Sequence, residues 1–195
     1  FVLGAGLEYS LGDIDLCFMA QASLSTIWLG LLYQRGMPLP WALVCMALSQ
    51  ITMGVLRGVL AAALHIPMIV LSFILAVILS NLYPANDVIL VDVWGNRPHT
   101  LALWGVMVGV FLLCAVGLQC FWKRTYWGKY CLAIGEDRGY NRNDVEKTGI
   151  NVVLVTAVTY GLAAVFFVVG TYMLLLNAGY GSSSRNAEYL YQGIA

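Results

Sequence analysis

Five runs of largely apolar residues, at 14–33, 41–64, 68–83, 100–122 and 150–176, dominate the chain. A helix needs ~20 mostly apolar residues to cross ~30 Å of hydrocarbon. Lipid offers no partner for backbone N–H and C=O groups, so a crossing segment must satisfy its own. Runs of this length therefore read as membrane spans. The expected fold class is all-α: a polytopic integral membrane bundle of about five full transmembrane helices. Residues 1–11 form a partial N-terminal helix, too short to cross. Composition agrees, because only 10% of the 195 residues are charged, against ~25% in a soluble domain. A surface with so few charges faces lipid.

The breaks between runs are short and polar. YQRGMPLP ends the first run, and Pro38 and Pro40 prevent the helix from continuing through it. His65-Ile66-Pro67 makes a tight connection between the second and third. Residues 84–99 form a polar loop with a β-prone stretch at 88–93. The stretch from 121 to 151 holds Lys123, Arg124, Lys129, Arg138, Arg142 and Lys147, six of the ten Lys and Arg in the chain. Cytoplasmic loops are enriched in Lys and Arg, so the loop at about 123–149 is expected inside. Counting outward, His65 and the break around Asp13 and Asp15 fall inside, while 34–40, 84–99 and 177–195 fall outside. Aromatic residues fit this map. Phe121, Trp122, Tyr126, Trp127 and Tyr130 crowd one interface, and Tyr33, Trp41, Tyr83 and Trp94 lie near the other. Within the loop, residues 137–148 suit a short helix, capped by Asn143 or Asp144 and ended by Gly149.

Charge and motif content exclude several functions. Net charge is zero, with no basic surface for nucleic acid. No G-x-x-x-x-G-K-[ST] is present, so no ATP is held by a P-loop. The five cysteines show no paired spacing and read as small packing residues. His65 and His99 lie on opposite sides of the map and cannot share a metal. No cofactor is expected and no catalytic residue is assigned. The opening FVLGAGLEYS lacks the basic flank of a signal peptide.

A few polar residues interrupt the apolar runs. Glu8, Asp13 and Asp15 cluster at the first break. They suit metal ligands, a proton relay or a cytoplasmic helix end, with Asp15 capping the helix that follows. Arg57 lies about two helical turns before His65, and three readings stand open: snorkelling inward, a polar contact between helices, or a place in a translocation path. Gln21, Gln50, Asn81 and Gln119 are neutral polar residues that bond across helices or line a pore. Gly54-x-x-x-Gly58 and Gly105-x-x-x-Gly109 allow close helix approach.

The run Tyr126-Trp127-Gly128-Lys129-Tyr130-Cys131-Leu132-Ala133-Ile134-Gly135, followed by Gly149-Ile150-Asn151-Val152, resembles a segment of ATP-binding-cassette importer permeases. The subgroup is the ribose/simple-sugar and branched-chain amino-acid type. Upstream, Gly54 to Leu60 and Leu64 to Val70 resemble that family's stretch around a Gly-x-x-Asn-Gly and an Ile-Pro. Ile14-Asp15-Leu16 resembles its Gly-Ile-Asp-Leu-Ser signature. Asn186 to Leu190 and Gly193-Ile194-Ala195 resemble its periplasmic segment. The matches keep the family's order and cover most of the chain. Asp13 stands where the family has Gly, Cys17-Phe18-Met19 where it has Ser-Val-Gly, and Arg57 where it has Asn. The polar run from Glu136 to Thr148 is longer than usual, and the family's further C-terminal spans do not appear, which implies a shortened or divergent member.

The resemblance implies one transmembrane permease domain over 1–195, moving a simple sugar by alternating access across a bacterial inner membrane. Branched-chain amino acids are the alternative solute, and a non-transporting scaffold the alternative role. It implies three protein partners: a separate ATPase subunit, a periplasmic solute-binding protein and a second permease subunit. The loop 123–149 becomes the cytoplasmic coupling element, with Asp137, Arg138, Arg142, Asp144 and Glu146 as its contacts to the ATPase. Gln21, Gln50, Arg57 and Asn81 are the candidate path residues. Residues 84–99 and 177–195 become periplasmic.

Overall fold

The computed structural model describes residues 1–82, 88–89, 101–135, 147, 149–178 and 180–181. Seven helices follow in order among the described residues: α1 (Val2–Tyr9), α2 (Phe18–Gln34), α3 (Leu39–Leu64), α4 (Met68–Asn81), α5 (Leu101–Arg124), α6 (Tyr126–Gly135) and α7 (Val152–Ala178). Two short strands, β1 (Val88–Ile89) and β2 (Tyr180–Gly181), pair antiparallel, with Val88 opposite Gly181. All five expected spans contain a helix, and the molecule is a helical membrane bundle. Three stretches, Leu39–Leu64, Trp104–Arg124 and Val152–Leu175, are long and apolar enough to cross a membrane. The other two are shorter. With 17 and 14 residues, α2 and α4 reach ~25 and ~21 Å at 1.5 Å per residue.

Local chemistry sets the helix ends. Pro38 and Pro67 stand at the N-caps of α3 and α4, and Pro40 sits in the first turn of α3, where its missing N–H is no loss. His65 closes α3 in the left-handed region at φ 54°, which turns the chain sharply into Pro67. The Thr125 hydroxyl accepts the Gly128 N–H at 3.1 Å and caps α6. The Asn151 amide oxygen accepts the Leu154 N–H at 3.0 Å and caps α7.

The bundle has two distinct ends. At one, Leu11, Ala61, Met68, Cys131, Ile134, Val152 and Val155 form a shared core. The first break, the His65 turn and the start of the polar stretch thus meet there. At the other, Leu29, Ala42, Met46 and Leu175 pack together, and the strand pair lies against α2. This is the alternation that the polar breaks imply.

The central pair is α3 and α7. A Cβ on Gly54 would stand 2.7 Å from the Ala164 Cβ, and one on Gly58 would stand 3.0 Å from the Thr156 carbonyl oxygen. The two backbones approach as closely as they do because both positions are glycine. The other small-residue pair behaves differently: a Cβ on Gly105 or Gly109 would meet nothing within 4 Å. That face of α5 has no neighbour among the described residues, and Trp104, Leu113 and Val116 on the same helix are more than half exposed. Such apolar exposure is what a lipid-facing helix presents.

Helix α6 departs from expectation. Residues 126–135 read as the start of a polar loop, yet they form ten residues of helix with Gly128, Cys131 and Ile134 buried. The reason is tertiary. Cys131 and Ile134 share one face at i, i+3, and that face closes the end of the bundle against Leu11 and Val155. Of the short helix expected at 137–148 only Lys147 is described, and it is helical; Asp137, Arg138, Arg142, Asp144 and Glu146 lie outside the described residues.

Candidate functional site

The first break starts at the end of the bundle that holds Leu11, where Gly12 and Ile14 are exposed, but leads inward to a buried Asp15. Helix α1 runs down the side of α7: Phe1 lies against Gly170, Gly4 against Phe167 and Ala163, and Ser10 reaches Gly135 of α6. The chain then turns back into the bundle through Gly12, at φ 78°. The turn is anchored deep. The Asp15 carboxylate pairs with the Arg57 guanidinium, and Arg57 lies eight residues, ~12 Å of helix, before His65. The Tyr160 hydroxyl donates to Asp13 at 3.3 Å from a point similarly far inside α7. The Ser72 hydroxyl accepts the Leu16 N–H at 3.1 Å.

Helix α2 consequently begins at Phe18, four residues later than the hydropathy run at 14, and inside the bundle. Phe18 stacks on Phe167 with centroids 5.2 Å apart, and Phe1 lies 6.1 and 6.2 Å from them. This corrects the reading of Asp15 as part of a cytoplasmic helix end, while Asp13 remains partly exposed. Asp15 does not cap α2, whose N-cap is Cys17; its second carboxylate oxygen instead accepts the Cys17 N–H at 2.6 Å, just ahead of the helix. It also decides against snorkelling for Arg57, which is 1% exposed and committed to a contact between α3 and the break.

A second polar level lies two turns away on the same face of α3. Gln21 of α2 donates to the Gln50 carbonyl oxygen at 2.6 Å. The Gln50 amide donates to the Thr171 hydroxyl of α7 at 3.0 Å. Met46, Gln50, Gly54, Arg57, Gly58 and Ala61 are all buried on α3, a helical stripe aimed at α7. The two levels form a polar axis running between α2, α3 and α7, inside an otherwise apolar bundle.

The axis is only partly satisfied. The side-chain oxygens of Gln21 and Gln50, and Nε and Nη2 of Arg57, are buried with no hydrogen-bond partner among the described residues. Each such group costs about 1–3 kcal/mol when left unpaired. Glu8 is 1% exposed and lies within electrostatic range of Asp15 and Arg57. The deep level thus holds carboxylates on α1 and the break, a guanidinium on α3 and a phenol on α7. The residues to hold a metal do not converge: no group of three His, Cys, Asp or Glu among the described residues has that geometry.

Of the candidate path residues, Gln21, Gln50 and Arg57 fall on this axis. Asn81 does not: it is exposed near the end of α4 and donates to its own helix at Val77, 2.7 Å away. Tyr160 and Thr171 join the axis without having been singled out from the sequence. The signal was present, since Thr156, Tyr160, Ala163, Ala164, Phe167 and Thr171 recur at helical spacing on one buried face of α7.

A buried polar axis within a bundle of apolar helices belongs to polytopic membrane proteins that handle polar solutes or couple helices across the bilayer. No known family profile matches the chain, and no solved structure matches it. It is similar to the fructose import permease protein FrcC of Rhizobium meliloti, with 26% identity over 91% of this chain and 51% of that protein. The resemblance to sugar-importer permeases read from the motifs is therefore matched by a sugar permease along nearly the whole chain. The chain spans about half the length of that relative.

Proposed function

We propose that this chain is a transmembrane permease subunit of an ATP-binding-cassette importer, moving a monosaccharide of the ribose or fructose kind across a bacterial inner membrane. The observation that carries the proposal is similarity to a fructose import permease along nearly the whole chain, in a bundle whose interior holds amides and hydroxyls. Gln21, Gln50 and Thr171 supply donors and acceptors suited to sugar hydroxyls, and Arg57 with Asp15 holds the broken helix beside them. Alternating access would open the α2–α3–α7 interior to each side in turn.

No G-x-x-x-x-G-K-[ST] occurs in this sequence, and in this reading a separate ATPase subunit drives the cycle. Asp137, Arg138, Arg142, Asp144 and Glu146 dock on it from the cytoplasmic loop at 123–149. Mixed charges there give orientation and specificity more than affinity. A solute-binding protein meets 84–99 and 177–195 on the periplasmic side, and a second permease subunit completes the transmembrane unit. The test is uptake of labelled ribose, fructose and leucine in cells lacking their own permeases, with the chain expressed beside a cognate ATPase and binding protein. Saturable monosaccharide uptake is expected. Leucine uptake without monosaccharide uptake would move the protein to amino-acid import, and no uptake of any solute would sink the transport reading.

A further inference from the structure

The deep level of the axis gathers more carboxyl groups than cations. Glu8, Asp13 and Asp15 meet one guanidinium there, that of Arg57. Glu8 and Arg57 are each 1% exposed and Asp15 is 7% exposed. The Tyr160 phenol of α7 and the Cys17 thiol of the break face the same cluster. Of charged groups, α5 and α6 offer only Lys123, Arg124 and Lys129, all exposed. Among the described residues the one ion pair of the cluster is Arg57 with Asp15. An ionised carboxylate buried without a partner is costly enough that it takes up a proton instead.

Hydrogen bonding decides where the charge sits. Asp15 accepts from two donors, the Arg57 guanidinium and the Cys17 N–H, and such donors hold a carboxylate as the anion. Asp13 accepts from the Tyr160 hydroxyl at 3.3 Å and is partly exposed. Glu8 differs from both. Neither of its oxygens receives a hydrogen bond from an N–H or hydroxyl donor, and its carboxyl lies within bonding reach of the Asp15 carboxylate. Two carboxyl groups in such contact cannot both stay ionised. The Nε and Nη2 edge of Arg57 is also free. An ionised Glu8 beside it would take that two-pronged edge, the strongest geometry open to a carboxylate. Glu8 faces Asp15 instead, as a protonated carboxyl does.

We propose that Glu8 carries a bound proton and donates it to Asp15, forming a buried proton site that latches α1 to the bundle. With the proton in place, Asp15 and Arg57 balance each other and Glu8 adds no charge. Without it, Glu8 and Asp15 repel at contact distance. Glu8 is the polar tie of α1 to the break, while Gly4 and Leu7 hold the helix only by apolar packing against Phe167 and its neighbours. Loss of the proton therefore loosens α1 from its seat on α7. The latch is independent of which solute the chain carries.

The experiment is infrared spectroscopy of the full chain in mild detergent, with isotope-labelled glutamate carboxyls, beside unfolding measured from about pH 5 to about pH 9. A protonated carboxyl absorbs apart from a carboxylate. At neutral pH an acid band that shifts with the glutamate label is expected. Glu8→Gln keeps a donor facing Asp15 and should abolish the band. Glu136→Gln/Glu146→Gln/Glu188→Gln leaves Glu8 as the sole glutamate and should keep it. The unfolded chain releases the Glu8 proton above about pH 4.3, whereas the folded chain holds it. Stability is therefore full below that pH and falls as pH rises, by up to about tenfold in the unfolding constant per pH unit for one proton. Glu8→Gln should remove this part of the fall, and Lys129→Gln should retain it. Absence of a glutamate acid band from the wild-type chain overturns the site without any variant. A band that persists in Glu8→Gln, or a pH dependence as steep in Glu8→Gln as in the wild type, overturns it as well.

Discussion

Arg57 shows how a single side chain reorganises a membrane bundle. A charge at mid-membrane costs ~2.5–3.5 kcal/mol on insertion scales, and this one is met by Asp15 from a break in the neighbouring chain segment. Removing one partner leaves the other charge buried and alone, which costs about 3–5 kcal/mol. Arg57→Met is therefore expected to lower the thermal midpoint of the detergent-solubilised protein sharply. The double variant Asp15→Asn/Arg57→Asn should recover most of the loss, since two neutral amides bond to each other. A double variant as unstable as Arg57→Met alone would show that the pair is not the reason for the arginine.

Gln50 separates packing from function at the same scale. Hydrogen bonds between membrane helices average ~0.6 kcal/mol, so Gln50→Leu should shift stability little. If the axis is the solute path, the same change should raise the transport KM about tenfold, because a site built to bond a hydroxyl loses a paired group. A small loss of stability with unaltered transport would return Gln50 to the role of a bond between α3 and α7.

Among the elements, α3 and α7 depend on glycine. At Gly58 a Cβ would stand 3.0 Å from both the Thr156 carbonyl oxygen and the Tyr160 Cβ. Backbone on the far side cannot move aside as a flexible side chain can. Gly58→Ala should force the helices apart and cost about 1–3 kcal/mol, as overpacking does. Gly105→Ala and Gly109→Ala should change stability by less than about 0.5 kcal/mol, as surface substitutions do. Thermal unfolding of the three variants checks this, and equal losses would place an unseen neighbour on α5. The two glycine motifs are indistinguishable as sequence. Only their partners differ, and the partner of the first sits a hundred residues further on.

For the whole molecule, the two-ended arrangement makes orientation testable. Single cysteines at Arg138, Trp94 and Arg185 in a background lacking the native five should label from opposite sides. Position 138 is expected to react only from the cytoplasm, and positions 94 and 185 only from the periplasm. Labelling of 138 from outside would invert the map and remove the docking role of its loop. The pairing of β1 with β2 puts the segments around 88 and 180 at one end, as the map requires.

Hydropathy was enough to read a helical membrane bundle with a helix in each of five apolar runs, three of them long enough to cross. These follow from local rules, because lipid forces each span to satisfy its own backbone and polar breaks to lie outside hydrocarbon. Two features broke those rules. The Asp13–Asp15 break looked like a cytoplasmic end, and 126–135 looked like loop. Burial of a carboxylate is decided by whether a distant cation comes to meet it, here Arg57, 42 residues away. Burial of Cys131 and Ile134 is decided by whether Leu11 and Val155 offer an apolar seat. Periodicity within a run carries no information about either, so the tertiary structure alone turned three scattered polar residues, Asp15, Arg57 and Tyr160, into one level of a buried axis.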